Sequence, residues 1–370
     1  MYIYENSEWP NFTWNKESLL NALSNVSHRQ GRLIGRMEGL GFILQSEAML
    51  QTMTIEVIKS NEIEGEVLDH DQVRSSIARK LGMDVAGLVP ASRNVEGAVE
   101  IMLDATQKFL EPLTEERLFA WHSALFPTGR SGMSKIVVGN WRTNTPEDPM
   151  QVVSGAMGKE KVHFEAPDSK LLSGEMTAFI KWFNDSTELN AIIKAAIAHL
   201  WFVTIHPFAD GNGRIARTIA EMQLARADGI FSRFYSMSAQ IRMERKQYYD
   251  ILEKTQHGSI DITGWIEWFL SCLDRALIAS EESLSNVIYK AKFWDKLKDQ
   301  NLNDRQRKMI NKLLDGFEGK LTTSKWAKIC KCSQDTALRD VQDLMTKGIL
   351  AKESDGGRST NYNLQNVDAV

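Results

Sequence analysis

Helix breakers are scarce in this chain and then concentrated in one place. The 370 residues hold only 8 prolines and 24 glycines. Pro127, Gly129, Gly132, Gly139, Pro146, Pro149, Gly155, Gly158 and Pro167 fall within one stretch. Such a distribution favours long helices on either side of a single turn-rich insertion. Inside the insertion, Gln151–Ser154 and Lys161–Phe164 are short β-like runs around a Gly-Ala-Met-Gly turn. They predict one hairpin in an otherwise helical protein.

Helical patterning is expected over Lys16 to about Ser60, ending near Gly65, then over Asp71–Leu81 and Ala91–Phe109. A further helix starts at Thr114, a natural N-cap followed by two acids. Helix returns at Leu171–Asn184, Asn190–Ile205, Arg214–Asp228, Lys246–Gln256 and Ile262–Asn286. Tyr2, Tyr4, Trp9, Phe12 and Trp14 predict an arm over residues 1–15 pinned by its rings. The polar stretch Lys296–Asp304 is the strongest boundary.

At 43% hydrophobic and 25% charged, the chain can bury real cores, which excludes disordered and collagen-like classes. Net charge is −4, so bulk charge does not bind nucleic acid. The balance is uneven: residues 301–370 carry +3 and the first 300 carry −7. Cys272, Cys330 and Cys332 make no disulfide framework and point to a reducing compartment. Cys330 and Cys332 lack a second metal-ligand pair. Met1–Glu5 does not read as a secretory leader, and no run of 18 apolar residues suggests a membrane span. The cytoplasm is the expected location.

The densest chemical information lies in His206-Pro207-Phe208-Ala209-Asp210-Gly211-Asn212-Gly213-Arg214-Ile215-Ala216-Arg217. A glycine-bracketed polar loop opens directly into a helix. Two glycines let backbone N–H groups converge, and the helix N-terminus adds partial positive charge. The combination suits a phosphate. Arg214 and Arg217 share a helical face and reach toward one anion. Asp210 offers a hard carboxylate for Mg²⁺ shared with phosphates. His206 is of the right pKa class to accept a proton. Any one of these features alone is commonly structural; their convergence within twelve residues points to nucleotide chemistry.

This segment resembles, at every specified position, the signature H-x-F-x-(D/E)-G-N-G-R-x-x-R of the Fic family. The resemblance implies a mainly α fold. Its parts would be a Fic helical core with a β-hairpin flap, a helical N-terminal region and a C-terminal winged-helix domain, divided as 1–92, 93–295 and 296–370. It implies transfer of AMP from ATP to a Ser, Thr or Tyr hydroxyl of a target protein, including the enzyme itself. His206 would be the base and Asp210 the Mg²⁺ ligand. Gly211, Asn212, Gly213 and Arg214 would cradle the phosphates, with Arg217 on the γ-phosphate. Val153, Ser154 and Gly155 belong to the flap, which would align the target by strand addition and contribute to nucleotide binding. Tyr248 and Gln256 match positions near the nucleoside. The kinase-like branch of the superfamily has Lys in place of the second glycine; this chain keeps Gly213, which favours nucleotidyl transfer.

Ser60-Asn61-Glu62-Ile63-Glu64-Gly65 is the second informative segment. Ser60 and Glu64 share a helix face and Gly65 ends the helix. By residue type this is a solvated acidic helix end. It also resembles the family's inhibitory motif (S/T)-x-x-x-E-(G/N), in which the glutamate pairs with the second arginine of the signature, here Arg217. Glu62 and Glu66 are neighbours without that spacing from Ser60.

Beyond residue 300, helices over Asp304–Leu314, Lys325–Cys330 and Gln334–Thr346 precede two short strands around Asp355–Arg358. The order resembles a winged helix, binding DNA through residues 300–364 or docking a protein. A homodimer is compatible with the sequence. Two further functional readings stay open: a hydrolase that uses Glu64 to remove AMP from a modified target, and a DNA-binding regulator whose core senses ATP.

Overall fold

The computed structural model describes all residues except 84–86, 146, 156–160, 186–187, 315–316, 318, 354–359 and 366–370. The chain divides into two compact units, Met1–Glu281 and Glu282–Val370. The proline-free and glycine-poor regions are helical, as their patterning predicts. Helices α1 (Lys16–Glu38), α2 (Phe42–Ile63), α3 (His70–Lys80), α4 (Arg93–Gln107) and α5 (Glu115–Leu125) precede the breaker-rich insertion. The insertion folds as two small antiparallel pairs, β1 (Arg130–Ser131) with β2 (Ser134–Lys135), and β3 (Gln151–Ser154) with β4 (Lys161–Glu165). After it come α6 (Leu172–Asn184), α7 (Ala191–Ile205), α8 (Asn212–Asp228), α9 (Met237–Met243), α10 (Arg245–Gln256) and α11 (Thr263–Lys296).

The centre of the first unit is the antiparallel pair α7–α8. Both helices are buried nearly all round, with Ala195, Ala196, Ala198, Ala216 and Ala220 allowing close approach. Phe179, Phe183, Phe202 and Phe208 fill the spaces between helices, each burial contributing about 1.5–3 kcal/mol. This packing fixes the loop between α7 and α8, which carries the His206–Gly213 segment.

The cap expected at Thr114 forms, and Asn190 caps α7 as well. Thr114 accepts from the Arg117 N–H, and Asn190 from Ile192 and Ile193. The arm also holds as expected: Tyr2 and Tyr4 pack on Phe164 of β4, while Trp9 and Phe12 meet Trp201 of α7. Several elements differ from expectation: the helical run from Lys16 breaks at Gly39–Gly41 into α1 and α2, and β1–β2 is a second pair beside the expected hairpin. Helix α9 escapes sequence reading because seven residues give too little periodicity. Helix α11 runs ten residues past Asn286, to Lys296, since no glycine or proline interrupts it after Gly264.

The second unit starts within α11, and not at the polar stretch after it. Phe293 belongs to its core, together with Trp326, Val341 and Leu344, and Tyr289 packs against it. Helices α12 (Asp304–Leu314), α13 (Thr323–Cys330) and α14 (Gln334–Thr346) lead to β5 (Leu350–Lys352) paired with β6 (Tyr362–Leu364). Thr322 and Ser333 cap α13 and α14. The Asp355–Arg358 turn lies outside the described residues. Among the described residues no helix is long and apolar enough to cross a membrane.

Candidate active site

His206 ends α7 in the left-handed conformation, φ 53° and ψ 56°. Its own N–H still closes the helix on the Phe202 carbonyl. The Nδ1 atom lies 3.1 Å from the Val203 carbonyl, which can only accept. The proton therefore sits on Nδ1, and Nε2 is the free basic nitrogen. Burial pushes the ring pKa down to about 4, with Arg142 pushing the same way and the Val203 carbonyl, Asp210 and Glu64 opposing.

The loop is clamped by residues the sequence did not single out. Arg142 is buried, donating from Nε to the His206 carbonyl at 2.8 Å and from Nη2 to the Pro167 carbonyl at 2.5 Å. His122 stacks on Phe208, ring centroids 4.2 Å apart. Its Nδ1 accepts from the Gly139 N–H, so Nε2 carries the proton and donates to the Asp210 carbonyl. Both nitrogens are used by a neutral ring, and burial holds its pKa near 4. Nothing in the sequence around His122 or Arg142 marks these roles, because their partners are main-chain atoms distant in sequence.

Asn212 clips the loop internally. Its side chain accepts from the Phe208 N–H at 2.9 Å and donates to the Phe208 carbonyl at 2.8 Å. What Asn212 offers an anion is its own backbone N–H, with those of Gly213 and Arg214 in the first turn of α8. Gly211, at φ +81°, has no room for a side chain: a Cβ would lie 2.8 Å from the Phe126 ring. Asp210 faces Ser131, whose hydroxyl donates to one carboxylate oxygen; the other accepts from the Gly211 N–H.

The seat at the start of α8 already holds an anion, the Glu64 carboxylate. A Cβ on Gly213 would fall 2.2 Å from Glu64 Oε1. The same oxygen is 2.8 Å from Arg217 Nη2. Arg217 is buried, and also donates from Nε to Ser60 Oγ at 3.0 Å and from Nη2 to the Ser60 carbonyl at 2.8 Å. Tyr249 donates its hydroxyl to Glu64 Oε2 at 3.2 Å, and Arg245 holds the end of α2 through the Ile63 carbonyl.

Helix α2 closes in a Schellman turn, with Glu66 N–H on the Asn61 carbonyl and Gly65 N–H on that of Glu62. Gly65 takes φ +87°, which folds Glu66 back beside Glu64. Glu66 Oε2 lies 3.2 Å from Arg214 Nη1. The spacing argument left Glu66 without a role. The turn at Gly65, and not helical spacing, brings it to the site.

A cavity of about 690 Å³ opens in front of His206 and Gly213. Val153 and Ser154 of β3 line it, as do Tyr248 and Gln256 of α10. Gly155 stands at the end of β3 and is not among the lining residues. Tyr248 is buried with its hydroxyl 2.9 Å from His199, and Gln256 donates to Thr204 at 3.3 Å. Among the described residues no three His, Cys, Asp or Glu side chains cluster as a metal site. A single hard carboxylate beside a phosphate seat is nevertheless what Mg²⁺ takes when substrate phosphates supply further ligands. Asp210 fits that part.

The Fic/DOC family profile matches residues 112–224. The chain carries a Fic/DOC family domain. A profile for a domain of unknown function, DUF4172, matches residues 2–83. The fold is that of a Fic family protein from Desulfovibrio desulfuricans, with a TM-score of 0.52 at 22% identity, covering 96% of this chain and 98% of the other. A Fic domain containing signaling protein from Bacteroides thetaiotaomicron matches at 0.52 and 21%, over 70% and 97% of the two chains. Two relatives named Protein adenylyltransferase Fic also match. The one from Nematostella vectensis is 25% identical over 252 residues, 65% of this chain and 51% of the relative. The one from Culex quinquefasciatus is 27% identical over 240 residues, 63% and 42%. The chain thus spans about half the length, or less, of these curated relatives.

Proposed function

We propose that this Fic domain transfers AMP from ATP to a Ser, Thr or Tyr hydroxyl of a target protein, and that Glu64 holds the reaction off. The observation that carries the reading is the Glu64 carboxylate sitting between the first turn of α8 and Arg217, facing the same cavity as the His206 ring. An anion seat, an arginine and a free Nε2 are together what nucleotidyl transfer needs. The reaction depends on charge neutralisation and alignment more than on covalent help.

In the released state, the first-turn N–H groups of α8 bind the polyphosphate, with Arg214 and Arg217 on the leaving pyrophosphate. His206 Nε2 takes the target hydroxyl's proton as that oxygen attacks the α-phosphorus. Phe208, Asn212, His122 and Arg142 keep the loop from relaxing. The outer edge of β3 aligns the target by strand addition. Asp210 would hold Mg²⁺, which when bound neutralises phosphate charge. The name of the relatives, Protein adenylyltransferase Fic, supports the same chemistry.

The test is incorporation of labelled AMP into lysate proteins by the Glu64→Gly variant, followed by mass spectrometry of the labelled proteins. No incorporation under any magnesium concentration would defeat the reading. Asp210→Ala is expected to abolish the magnesium response together with most incorporation, because the loop then lacks its hard oxygen ligand. An unchanged magnesium titration in that variant would place the ion elsewhere.

For the second unit we infer a winged-helix arrangement, supported by the three helices followed by the β5–β6 pair. The exposed face of α14 mixes Asp335, Leu338, Arg339 and Asp343, which suits a protein partner better than the DNA backbone. Salt-dependent binding of duplex DNA by the full chain would reverse that preference.

A further inference from the structure

A hydroxyl–imidazole–carboxylate set joins the flap to α10, outside the signature loop. Between Val152 and Val153 the β3–β4 register shifts: Val152 pairs with Phe164 and Val153 with Val162. His163 is therefore the extra, unpaired residue of a bulge. Bulges re-aim side chains, and this one turns the ring between two partners. Ser154 Oγ lies 2.6 Å from His163 Nε2, and His163 Nδ1 lies 2.6 Å from Glu253 Oε2 of α10.

The protonation pattern follows from the partners. An ionised carboxylate only accepts, so Nδ1 carries the hydrogen of the neutral ring. Nε2 is then the acceptor for the Ser154 hydroxyl. A hydroxyl on a ring nitrogen whose other nitrogen is fixed by a carboxylate is the arrangement that activates serine as a nucleophile. Glu253 is held below the usual carboxylate range, chiefly by the His163 hydrogen bond, in keeping with an ionised partner. Ser154 is exposed, and Ser154, His163 and Glu253 line the same cavity as His206 and Gly213.

We propose that Ser154 is a self-modification site, accepting AMP from ATP bound in this cavity, with His163 and not His206 as its base. The inference rests on reading the cavity as an AMP-transfer site. The Ser154 Oγ–Pα bond forms as the bond from Pα to the bridging oxygen breaks. Its electron pair leaves with pyrophosphate, and the hydroxyl proton passes to His163 Nε2. The ester left on Ser154 occupies the cavity that delivered it, so each chain reacts once. Glu253 is a positioning residue acting through His163.

The experiment incubates the full-length Glu64→Gly chain with labelled ATP and magnesium, then maps adducts by proteolysis and mass spectrometry. An adenylyl group on Ser154 is expected. Adding His163→Gln should lower that adduct by about 10²–10⁴-fold, the contribution of a general base, while label on other residues of the chain persists and reports a folded enzyme. Adding Glu253→Gln should lower Ser154 labelling, because the ring loses the acceptor that fixes its tautomer, and Glu253→Asp should restore it. Label on other residues with none on Ser154 overturns the proposal and leaves the AMP-transfer reading standing. No label anywhere overturns both. Equal Ser154 labelling with and without His163 removes the base assignment, and Ser154 labelling unchanged in Glu253→Gln reduces Glu253 to a flap tether.

Discussion

Replacing His206 with alanine is expected to lower AMP transfer to other proteins by about 10²–10⁴-fold, while ATP still binds. The Nδ1 proton is committed to Val203, so the ring has one lone pair, on Nε2, and no phosphate contact is required of it. In the inhibited chain the ring titrates near pH 4, mainly because it is buried. A depressed histidine is neutral throughout the neutral range, so the base is already unprotonated when substrate arrives. The acid limb of the rate should therefore lie below the ordinary histidine value of about 6.5. Bound phosphates raise the ring pKa back toward the working range, since anions favour the imidazolium. Removing Glu64 acts in the opposite sense on the free enzyme, because that carboxylate is one of the groups raising it. The same depression enters stability. The unfolded chain takes up the proton first, so this group's contribution is intact above about 6.5 and is lost as pH falls toward 4. The check is labelled-AMP incorporation by Glu64→Gly with and without His206→Ala across pH, beside ATP binding by calorimetry. Retained incorporation with His206 absent would remove the base assignment.

The legible and illegible parts of this protein divide by how local their causes are. The loop His206–Arg217 was readable because glycines, a helix start, two arginines and a carboxylate stand within twelve residues. The hairpin was readable from breakers around two β-like runs, and α7 from its nearly continuous apolar run. Arg142, His122, Tyr249 and Glu66 were not. Each acts on a partner far away in the chain, often a backbone atom, and their residue types alone carry no signal. The Ser154–His163–Glu253 set depends on a one-residue bulge, which no periodicity reveals. Glu64 lies between these cases. Its spacing from Ser60 was visible, but which arginine it meets depends on where α2 crosses α8. The position of α2 is set by contacts with the start of α9, such as buried Glu56 on the Ser236 hydroxyl and the Ser238 N–H.

Glu64→Gly should raise AMP incorporation by about 10- to 100-fold. Arg217 is buried and pinned by Ser60, so it cannot swing away to meet a phosphate elsewhere. Any γ-phosphate must come to it, and Glu64 Oε1 stands there at 2.8 Å. A hydrogen bond between charged groups contributes about 1.5–3 kcal/mol, which is the amount ATP must overcome to seat itself, and each 1.4 kcal/mol is tenfold. The gain should appear in rate more than in overall ATP affinity, because the nucleoside end of the cavity is untouched and only phosphate alignment changes. Glu66 provides the control with a graded answer. Its pair with Arg214 is longer, 3.2 Å, and the Glu66 side chain is 48% exposed, so solvent screens it. An exposed pair contributes about 0.2–1 kcal/mol, and Glu66→Gln should raise incorporation by less than about fivefold. Glu62, which pairs with Lys59 away from the phosphate seat, should change nothing when replaced by glutamine. Three variants measured side by side against the parent chain decide the matter. Equal incorporation by the parent and Glu64→Gly defeats inhibition by this carboxylate. If Glu64→Gly instead loses the ability to strip AMP from a modified protein, Glu64 is the group that orients the hydrolytic water, and the enzyme runs chiefly in reverse.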